Sequence, residues 1–259
     1  ESGLLDNTKT LIVEIINLYQ EKYSEQFDEY VPKFIPAVWT LLSKTTLFVK
    51  YDQFVSKALE FLTTISKSTQ HQQFFNDQNI QSICENIIIP NVVLRDEDVE
   101  MFEDDPVEYI RRDIEGSDTD TRRRSASELI KGLSVLYEDK VTDIFVGKIG
   151  ALLNTAKQDW KSLDVAIYLL SAIAVRGQTR GKGATQVNPR APVNDLLQNH
   201  IIPQLNSDVN ALPVIKADGI KFICLFRQHL PKSEFTFIFP LLMNSLKSSS
   251  RVVKTYAAW

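Results

Sequence analysis

A dense group of carboxylates between residues 96 and 105 carries the strongest chemical signal in this sequence. Clustered carboxylates are ligands for hard cations such as Ca²⁺, which prefers oxygen donors. EF-hand loops place these ligands at alternate positions around a glycine, and residues 96–105 have neither that spacing nor a glycine. We therefore interpret the group as a charged surface for a partner and not as a metal site. Its members are Asp96, Glu97, Asp98, Glu100, Glu103, Asp104 and Asp105.

These carboxylates belong to a longer acidic segment. From Arg95 to Asp120 the chain has twelve acidic and three basic residues, a charge of −9, whereas the whole chain carries −4. Such a charge steers and orients a basic partner; the alternative is a solvated loop that keeps the chain soluble. Arginine forks suit carboxylate or phosphate, and some are expected to fold back on the segment's own acids. The further candidates for partner binding are Tyr109, Arg111, Arg112, Asp113, Arg122, Arg123 and Arg124.

The glycine-bearing stretch at 176–183 has a superficial likeness to a phosphate-binding loop. A Walker motif needs four residues between its glycines and a hydroxyl residue after its lysine. Here three residues separate Gly177 from Gly181, and Gly183 follows Lys182. We reject a nucleotide site and predict a flexible, polar insertion over residues 176–192.

No catalytic arrangement is recognisable in the sequence. His71, His200 and His229 stand apart from one another and from ligands at metal-binding spacing. We therefore predict that the protein is not an enzyme and uses no cofactor. Cys84 and Cys224 lie on apolar helical faces, which is typical of free buried thiols in the cytosol or nucleus.

Charge and hydropathy exclude two further classes of partner. The acidic surface disfavours nucleic acid, because phosphate contacts require positive charge. No apolar run approaches the roughly 20 residues that span a bilayer. The first residue is not methionine and the last residues, YAAW, resemble the middle of a helix, so we expect a piece of a longer chain.

Apolar residues recur at intervals of three and four almost throughout, which predicts an all-α fold. The first helix, about 8–24, places Leu11, Ile12, Ile15, Ile16 and Tyr19 on one face. A later helix places its apolar face at Val55, Ala58, Leu59, Leu62 and Ile65. Within the acidic segment, residues 105–115 are predicted to form a short helix that begins at Pro106.

Proline recurs in the first helix of several predicted helix pairs, at Pro36, Pro90, Pro203 and Pro240. Pair starts lie about 40 to 60 residues apart, close to the HEAT period. We predict one α-solenoid of HEAT repeats over residues 1–259, truncated at both ends, with an acidic insertion at 95–118 and the flexible insertion at 176–192. A compact helical bundle is the alternative, which the repeated proline disfavours.

A family resemblance enters at the acidic segment. Residues 88–124 read IIPNVVLRDEDVEMFEDDPVEYIRRDIEGSDTDTRRR and closely resemble the importin-alpha re-exporters of the karyopherin-beta family. Similar to the flanking repeats of that family are EYVPKFIPAVWTLL at 29–42 and VVKTYAA at 252–258. Residues 145–215 are more loosely similar.

The resemblance implies a HEAT-repeat nuclear export receptor. Members of the family bind the GTP form of the Ran GTPase together with importin-alpha and return importin-alpha to the cytoplasm. Their insertion in a middle repeat contacts Ran and lies near importin-alpha, which implies a binding surface at residues 95–124, with Asp104, Asp105, Arg111 and Arg112 foremost. Nuclear pore proteins are further expected partners, and shuttling between nucleus and cytoplasm is the expected location. A structural HEAT scaffold without Ran dependence is the competing hypothesis.

Overall fold

The computed structural model describes residues 3–115, 121–179 and 181–259. These residues are predominantly helical, as the sequence predicts. Their α-helices are Leu4–Lys22, Ser24–Phe27, Val31–Lys44, Asp52–Ser66, Asp77–Ser82, Ile89–Val92, Asp96–Asp104, Pro106–Ile110, Arg122–Thr155, Trp160–Ala174, Val193–Leu196, Ile202–Leu205, Pro213–Phe226, Phe235–Ser245 and Arg251–Ala258. The helix Arg122–Thr155 is interrupted at Tyr137, whose φ of −128° and ψ of 31° are not helical.

The chain divides into two compact units. The first unit comprises residues 1–93 and 120–144. In it, helices Leu4–Lys22 and Val31–Lys44 both pack against Asp52–Ser66. The predicted apolar face of this central helix forms the core, with Val55, Ala58, Leu59, Leu62 and Ile65 all at most 1% exposed.

The helix that begins at Arg122 also contacts Asp52–Ser66. The contact is close because Gly132 has no side chain. A Cβ added to Gly132 would lie 2.9 Å from Ser66 Oγ and 3.0 Å from Thr63 Cγ2. In this unit Asp52–Ser66 follows the helix that contains Pro36, and the helix from Arg122 follows the segment that contains Pro90. They are therefore the second helices of successive pairs, and they stack on one another as in an α-solenoid.

The first helix packs through a different face from the one that the sequence predicts. Its buried residues are Thr10, Val13 and Ile16, and Asn17 Nδ2 donates to Lys57 O at 3.0 Å. Of the predicted apolar face only Ile16 is buried, because helix Asp52–Ser66 covers one side of Leu4–Lys22. The predicted residues that stay exposed are Leu11, Ile12, Ile15 and Tyr19.

The second unit comprises residues 94–119 and 145–259. Helix Pro213–Phe226 is its centre and packs against both Trp160–Ala174 and Arg251–Ala258. These are again the second helices of their pairs. The all-α prediction is thus confirmed, and the stacking within each unit agrees with the predicted solenoid. Among the described residues, no helix combines the length and apolarity that a membrane crossing requires.

Two first helices contain a π-helical turn directly before a proline. Ile83–Ile88 precedes Pro90, and Leu197–Ile201 precedes Pro203. A proline in a helix has no N–H to donate, and its ring collides with the carbonyl four residues earlier. The wider π turn moves that carbonyl away, so the chain remains helical through the proline. Pro36 and Pro240 also lie within helices, as predicted.

A β-hairpin occupies most of the predicted flexible insertion. Strands Val175–Thr179 and Gly183–Val187 pair antiparallel, a regular structure that the prediction of a flexible, polar insertion over 176–192 does not include. The hairpin is docked on the end of helix Pro213–Phe226. Gly183 has a φ of +74°, and a Cβ there would lie 2.4 Å from Leu225 O. Arg227 Nη2 donates to Gly181 O at 2.7 Å.

Candidate partner-binding surface

The acidic insertion begins with a capped helix, Asp96–Asp104. The Asp98 carboxylate accepts from the backbone N–H of Arg95 at 3.0 Å and from Arg95 Nε at 2.9 Å. A carboxylate in the first helical turn accepts hydrogen bonds from free backbone N–H groups and interacts favourably with the positive end of the helix dipole. The sequence predicts Asp98 as a partner contact, but its carboxylate is engaged within the insertion.

A second short helix, Pro106–Ile110, folds back on the first. Asp105 Oδ1 accepts from Glu108 N at 3.2 Å, and Pro106 is the first helical residue, as predicted. The rings of Phe102 and Tyr109 meet edge to face, with centroids 4.9 Å apart. Phe102 is 2% exposed, so this aromatic pair fastens the two helices to the body of the second unit.

Six of the predicted carboxylate residues are exposed on this insertion. Asp96 Oδ1 lies 2.7 Å from Lys161 Nζ, at the start of helix Trp160–Ala174, and that pair is also exposed. Water and salt screen the mutual repulsion of these exposed carboxylates, and a basic partner would reduce it further. The exposed carboxylate residues are Asp96, Glu97, Glu100, Glu103, Asp104 and Asp105.

Arg111 and Arg112 fold back on the insertion's own acid, as the sequence predicts. Arg111 Nη2 and Arg112 Nε each lie 2.7 Å from a different oxygen of Glu108. The hydrogen bond from Arg112, and then that from Arg111, lowers the pKa of Glu108. Arg111 remains 56% exposed, so one edge of its guanidinium faces solvent.

Asp113 anchors the insertion to two helices of the second unit. Its carboxylate pairs with Lys221 of helix Pro213–Phe226 and accepts from Tyr256 OH, of helix Arg251–Ala258, at 2.5 Å. Burial, and then the charge of Asp113, raises the pKa of Tyr256. Burial alone would lower the pKa of Lys221, but the charge of Asp113 and its other neighbours outweighs this and raises it. Asp113, which the sequence predicts as a partner contact, is therefore an internal anchor of the insertion.

Arg122 also differs from its prediction as a partner contact. Its side chain is 4% exposed. Its guanidinium donates to Asp52 at 2.5 Å, to Phe48 O at 2.9 Å and to Thr46 O at 3.1 Å, all within the first unit. A guanidinium so committed cannot bind a partner without leaving buried acceptors unpaired. Of the other two predicted arginines, Arg123 is half-buried and Arg124 is exposed.

Sequence reasoning missed the residues that hold this surface in place. Lys161, Lys221 and Tyr256 contact the insertion from positions up to 143 residues away, and no local pattern marks them. The last part of the predicted insertion, residues 116–118, lies outside the described residues. Across the described residues, no group of three or more potential ligand side chains is arranged to hold a metal ion.

Comparison with known proteins identifies the family. The family model described as Cse1 matches residues 1–259. Exportin-2 of Homo sapiens and Exportin-2 of Bos taurus are each 45% identical over 264 aligned residues, and Exportin-2 of Xenopus laevis is 43% identical. Each alignment covers 100% of this chain and 27% of the relative, so the chain spans about a quarter of their length.

A solved structure agrees with this assignment. It is described as the exportin Cse1 in its cargo-free, cytoplasmic state, and it superposes with a TM-score of 0.93 at 38% sequence identity. The superposition covers 100% of this chain and 29% of that chain. With a family model that matches its whole length, and with the insertion and stacked helices described above, this chain belongs to the Cse1 family.

Proposed function

We propose that this chain is the part of a nuclear export receptor that helps to bind Ran in its GTP form together with importin-alpha. The observation that carries the proposal is the anchored acidic insertion, which presents exposed carboxylates from a chain of the Cse1 family. Relatives named Exportin-2 support the export role. The receptor then shuttles between nucleus and cytoplasm and passes nuclear pore proteins on its way.

The exposed carboxylates supply the attraction in this proposal. Six of them on one insertion attract a basic partner surface over a distance of about 10 Å at moderate ionic strength. Their main effect is on the association rate and on orientation, because exposed charges contribute little net affinity. The association rate should therefore fall steeply as the salt concentration rises. The carboxylates that we assign to the surface are Asp96, Glu97, Glu100, Glu103, Asp104 and Asp105.

The other predicted contacts divide into two groups. Tyr109, Arg111, Arg112, Arg123 and Arg124 remain proposed partner contacts. Arg111 can contact a partner carboxylate with the solvent-facing part of its guanidinium while it keeps Glu108. Asp98, Asp113 and Arg122 act indirectly, by holding the insertion and its neighbouring segments in place.

The proposed carrier works by reciprocal coupling. Ran and importin-alpha each raise the affinity of the receptor for the other, because both stabilise the same conformation. Stacked helix pairs suit this role, since small rotations between neighbours add up along the chain. The insertion contributes by contacting a partner while it is fastened to helices of two successive pairs.

A pull-down with nucleotide-locked Ran tests the proposal. The full-length protein is mixed with importin-alpha and with Ran loaded either with a non-hydrolysable GTP analogue or with GDP. Capture of importin-alpha only with the GTP form supports an export receptor. Equal capture with both forms, or capture with neither, leaves a structural scaffold without Ran dependence as the remaining function.

Charge reversal tests the surface itself. The triple substitution Glu100→Lys, Glu103→Lys and Asp104→Lys should lower the rate of association with the assembled pair at least about tenfold. The matched control reverses Glu21, Glu25 and Glu85, which are also exposed. Equal loss in both triple variants would mean that only overall charge matters and would remove the insertion from the proposed site.

A further inference from the structure

The loop between helices Val31–Lys44 and Asp52–Ser66 presents three consecutive apolar side chains to solvent. Leu47 is 40% exposed, Phe48 is 63% exposed and Val49 is 50% exposed. Single exposed apolar residues are common on proteins, whereas a contiguous group usually marks a contact site. We name residues 44–51 the Phe48 loop.

Hydrogen bonds from the buried Arg122 side chain fix the backbone of the Phe48 loop. Arg122 donates to the carbonyls of Thr46 and Phe48, which flank Leu47, and its Nε is bonded to Asp52, the first residue of the following helix. Thr45 Oγ1 donates to Leu41 O at 2.7 Å on the other side. A buried guanidinium thus fixes the same residues whose side chains are exposed. A loop that is ordered before binding loses little entropy when a partner docks.

The loop and the helix before it carry one sign of charge, and the Asp52 carboxylate that follows the loop is paired with Arg122. Residues 30–51 contain Lys33, Lys44 and Lys50 and no acidic residue. Lys44 and Lys50 are exposed at the two ends of the loop, and Lys50 Nζ lies 4.7 Å from the centre of the Tyr51 ring. The loop is therefore an apolar centre between two cations, and its complement is an apolar segment that carries carboxylates.

We infer that the Phe48 loop is a docking site for an acidic, apolar peptide segment of a protein partner. Apolar side chains of the segment cover Leu47, Phe48 and Val49, and its carboxylates pair with Lys44 and Lys50. A protein segment fits better than nucleic acid, since only two lysines border the loop and the apolar area between them offers nothing to a phosphate backbone. This inference goes beyond the proposed assembly with Ran and importin-alpha and does not depend on it.

A synthetic peptide tests the inference on the full-length protein. The probe is a fluorescein-labelled 18-residue peptide of repeating Glu-Glu-Leu-Phe character, and binding is followed by fluorescence anisotropy. We expect saturable binding that Leu47→Ser with Phe48→Ser weakens at least about tenfold. Lys44→Glu with Lys50→Glu should weaken it and reduce its dependence on salt.

Two control positions lie about 20 Å from the loop, along the helices whose first residues, Asp52 and Arg122, border or contact it. Lys67 follows the 15-residue helix Asp52–Ser66 and is exposed, about 22 Å from the loop. Val135 is 61% exposed and lies thirteen residues, about 20 Å, along the helix from Arg122. Lys67→Glu and Val135→Ser should leave binding unchanged. The unfolding midpoint of every variant is measured, and a loop variant counts only if its midpoint matches the wild type.

A change in the charge of the peptide and a crosslinking experiment test the inference further. A peptide with lysine in place of each glutamate should bind at least about tenfold more weakly. A photoreactive p-benzoylphenylalanine in place of Phe48 should crosslink to the acidic peptide, and the same group at Val135 should not. Equal binding of both peptides, unchanged binding by the loop variants, or tighter binding of a single-stranded RNA of similar length would each overturn the inference.

Discussion

At the scale of single residues, Arg122 shows how charge is used inside this chain. Its guanidinium has five N–H donors in a fixed plane, and all three of its nitrogens donate to surrounding acceptors. Asp52 supplies the countercharge, while Thr46 O, Phe48 O and the Asn91 side chain complete the set. A lysine would reach fewer of these acceptors, because its ammonium is compact and not forked.

We therefore expect Arg122→Lys to lower the free energy of unfolding by about 2–4 kcal/mol, since it breaks a buried hydrogen-bonded pair. The measurement is urea denaturation. Arg124→Lys, at an exposed position two residues later, serves as the control and should change stability by no more than about 0.5 kcal/mol. Similar losses in the two variants would contradict the structural role of Arg122.

The three consecutive arginines, residues 122–124, show which side-chain contacts can be predicted from the sequence. Residue type and charge correctly predict an acidic surface and arginines that fold back on it, as Arg111 and Arg112 do. They do not distinguish Arg122 from Arg124, because the difference is set by acceptors on a loop about 75 residues earlier in the chain. The sequence likewise gives no sign that Asp113 bonds to Tyr256, because Tyr256 lies 143 residues further along the chain.

Tyr256 gives the chain an alkaline sensitivity. Its pKa is raised above the ordinary 10.0, so the folded state holds the phenol proton when the unfolded chain has released it. The free energy of unfolding should therefore be unaffected by this group below pH 10 and fall above it, by up to about 1.4 kcal/mol per pH unit. Urea midpoints measured between pH 8 and 11 should fall less steeply for Tyr256→Phe than for the wild type. Parallel slopes would contradict this assignment.

At the scale of elements, the described part of the insertion, residues 95–115, is folded. Two short helices are joined by the Phe102–Tyr109 contact, and one carboxylate, that of Asp113, fastens them to helices Pro213–Phe226 and Arg251–Ala258. The sequence predicts the second helix and its proline start. It misses the first helix, because the closely spaced carboxylates are interpreted as a charged surface and because the Arg95–Asp98 cap is not the usual Ser or Thr cap.

Removal of the anchor should loosen the whole insertion. In Asp113→Ala, the backbone amides of residues 96–115 should exchange with deuterium at least about tenfold faster, because local opening no longer breaks the bonds to Lys221 and Tyr256. Asp104→Ala, at an exposed position, should leave exchange unchanged. Unchanged exchange in Asp113→Ala would mean that the aromatic pair alone holds the insertion.

The hairpin was missed for a physical reason. Its strands, VRGQT and GATQV, are rich in glycine and polar residues and lack the alternation that marks a half-buried strand. Its order comes from contact with another element, through Arg227 to Gly181 O and His229 to Ala184 O. Local sequence patterns carry no information about such docking.

At the scale of the whole molecule, the spacing between stacked second helices is set by small residues. Gly132→Ala should destabilise the protein by about 1–2 kcal/mol, because its Cβ would meet Ser66 Oγ at 2.9 Å and the Thr63 carbonyl at 3.1 Å. Ser66 cannot easily move aside, since its hydroxyl is bonded to Thr63 O at 2.9 Å. Thermal unfolding is the measurement.

Gly147 is the matched control for this prediction. It also lies in a helix, but a Cβ there would meet nothing within 4 Å. Gly147→Ala should therefore stabilise the protein by about 0.5–1 kcal/mol through helix propensity alone. Shifts of the same sign in both variants would show that helix spacing is not controlled by Gly132.

The π-helical turns before Pro90 and Pro203 have a consequence for tolerance to length changes. A π turn accommodates one residue more than an α turn. Deletion of one exposed residue there, such as Asn86, returns the ladder to α-helical pairing with both flanks in register, at a cost of about 3 kcal/mol for the collision of the Pro90 ring with the carbonyl four residues earlier. The same deletion at Glu60 rotates everything downstream by about 100° and moves the core face toward solvent. The shortened Asn86 variant should fold with a single cooperative transition, and the Glu60 deletion should not.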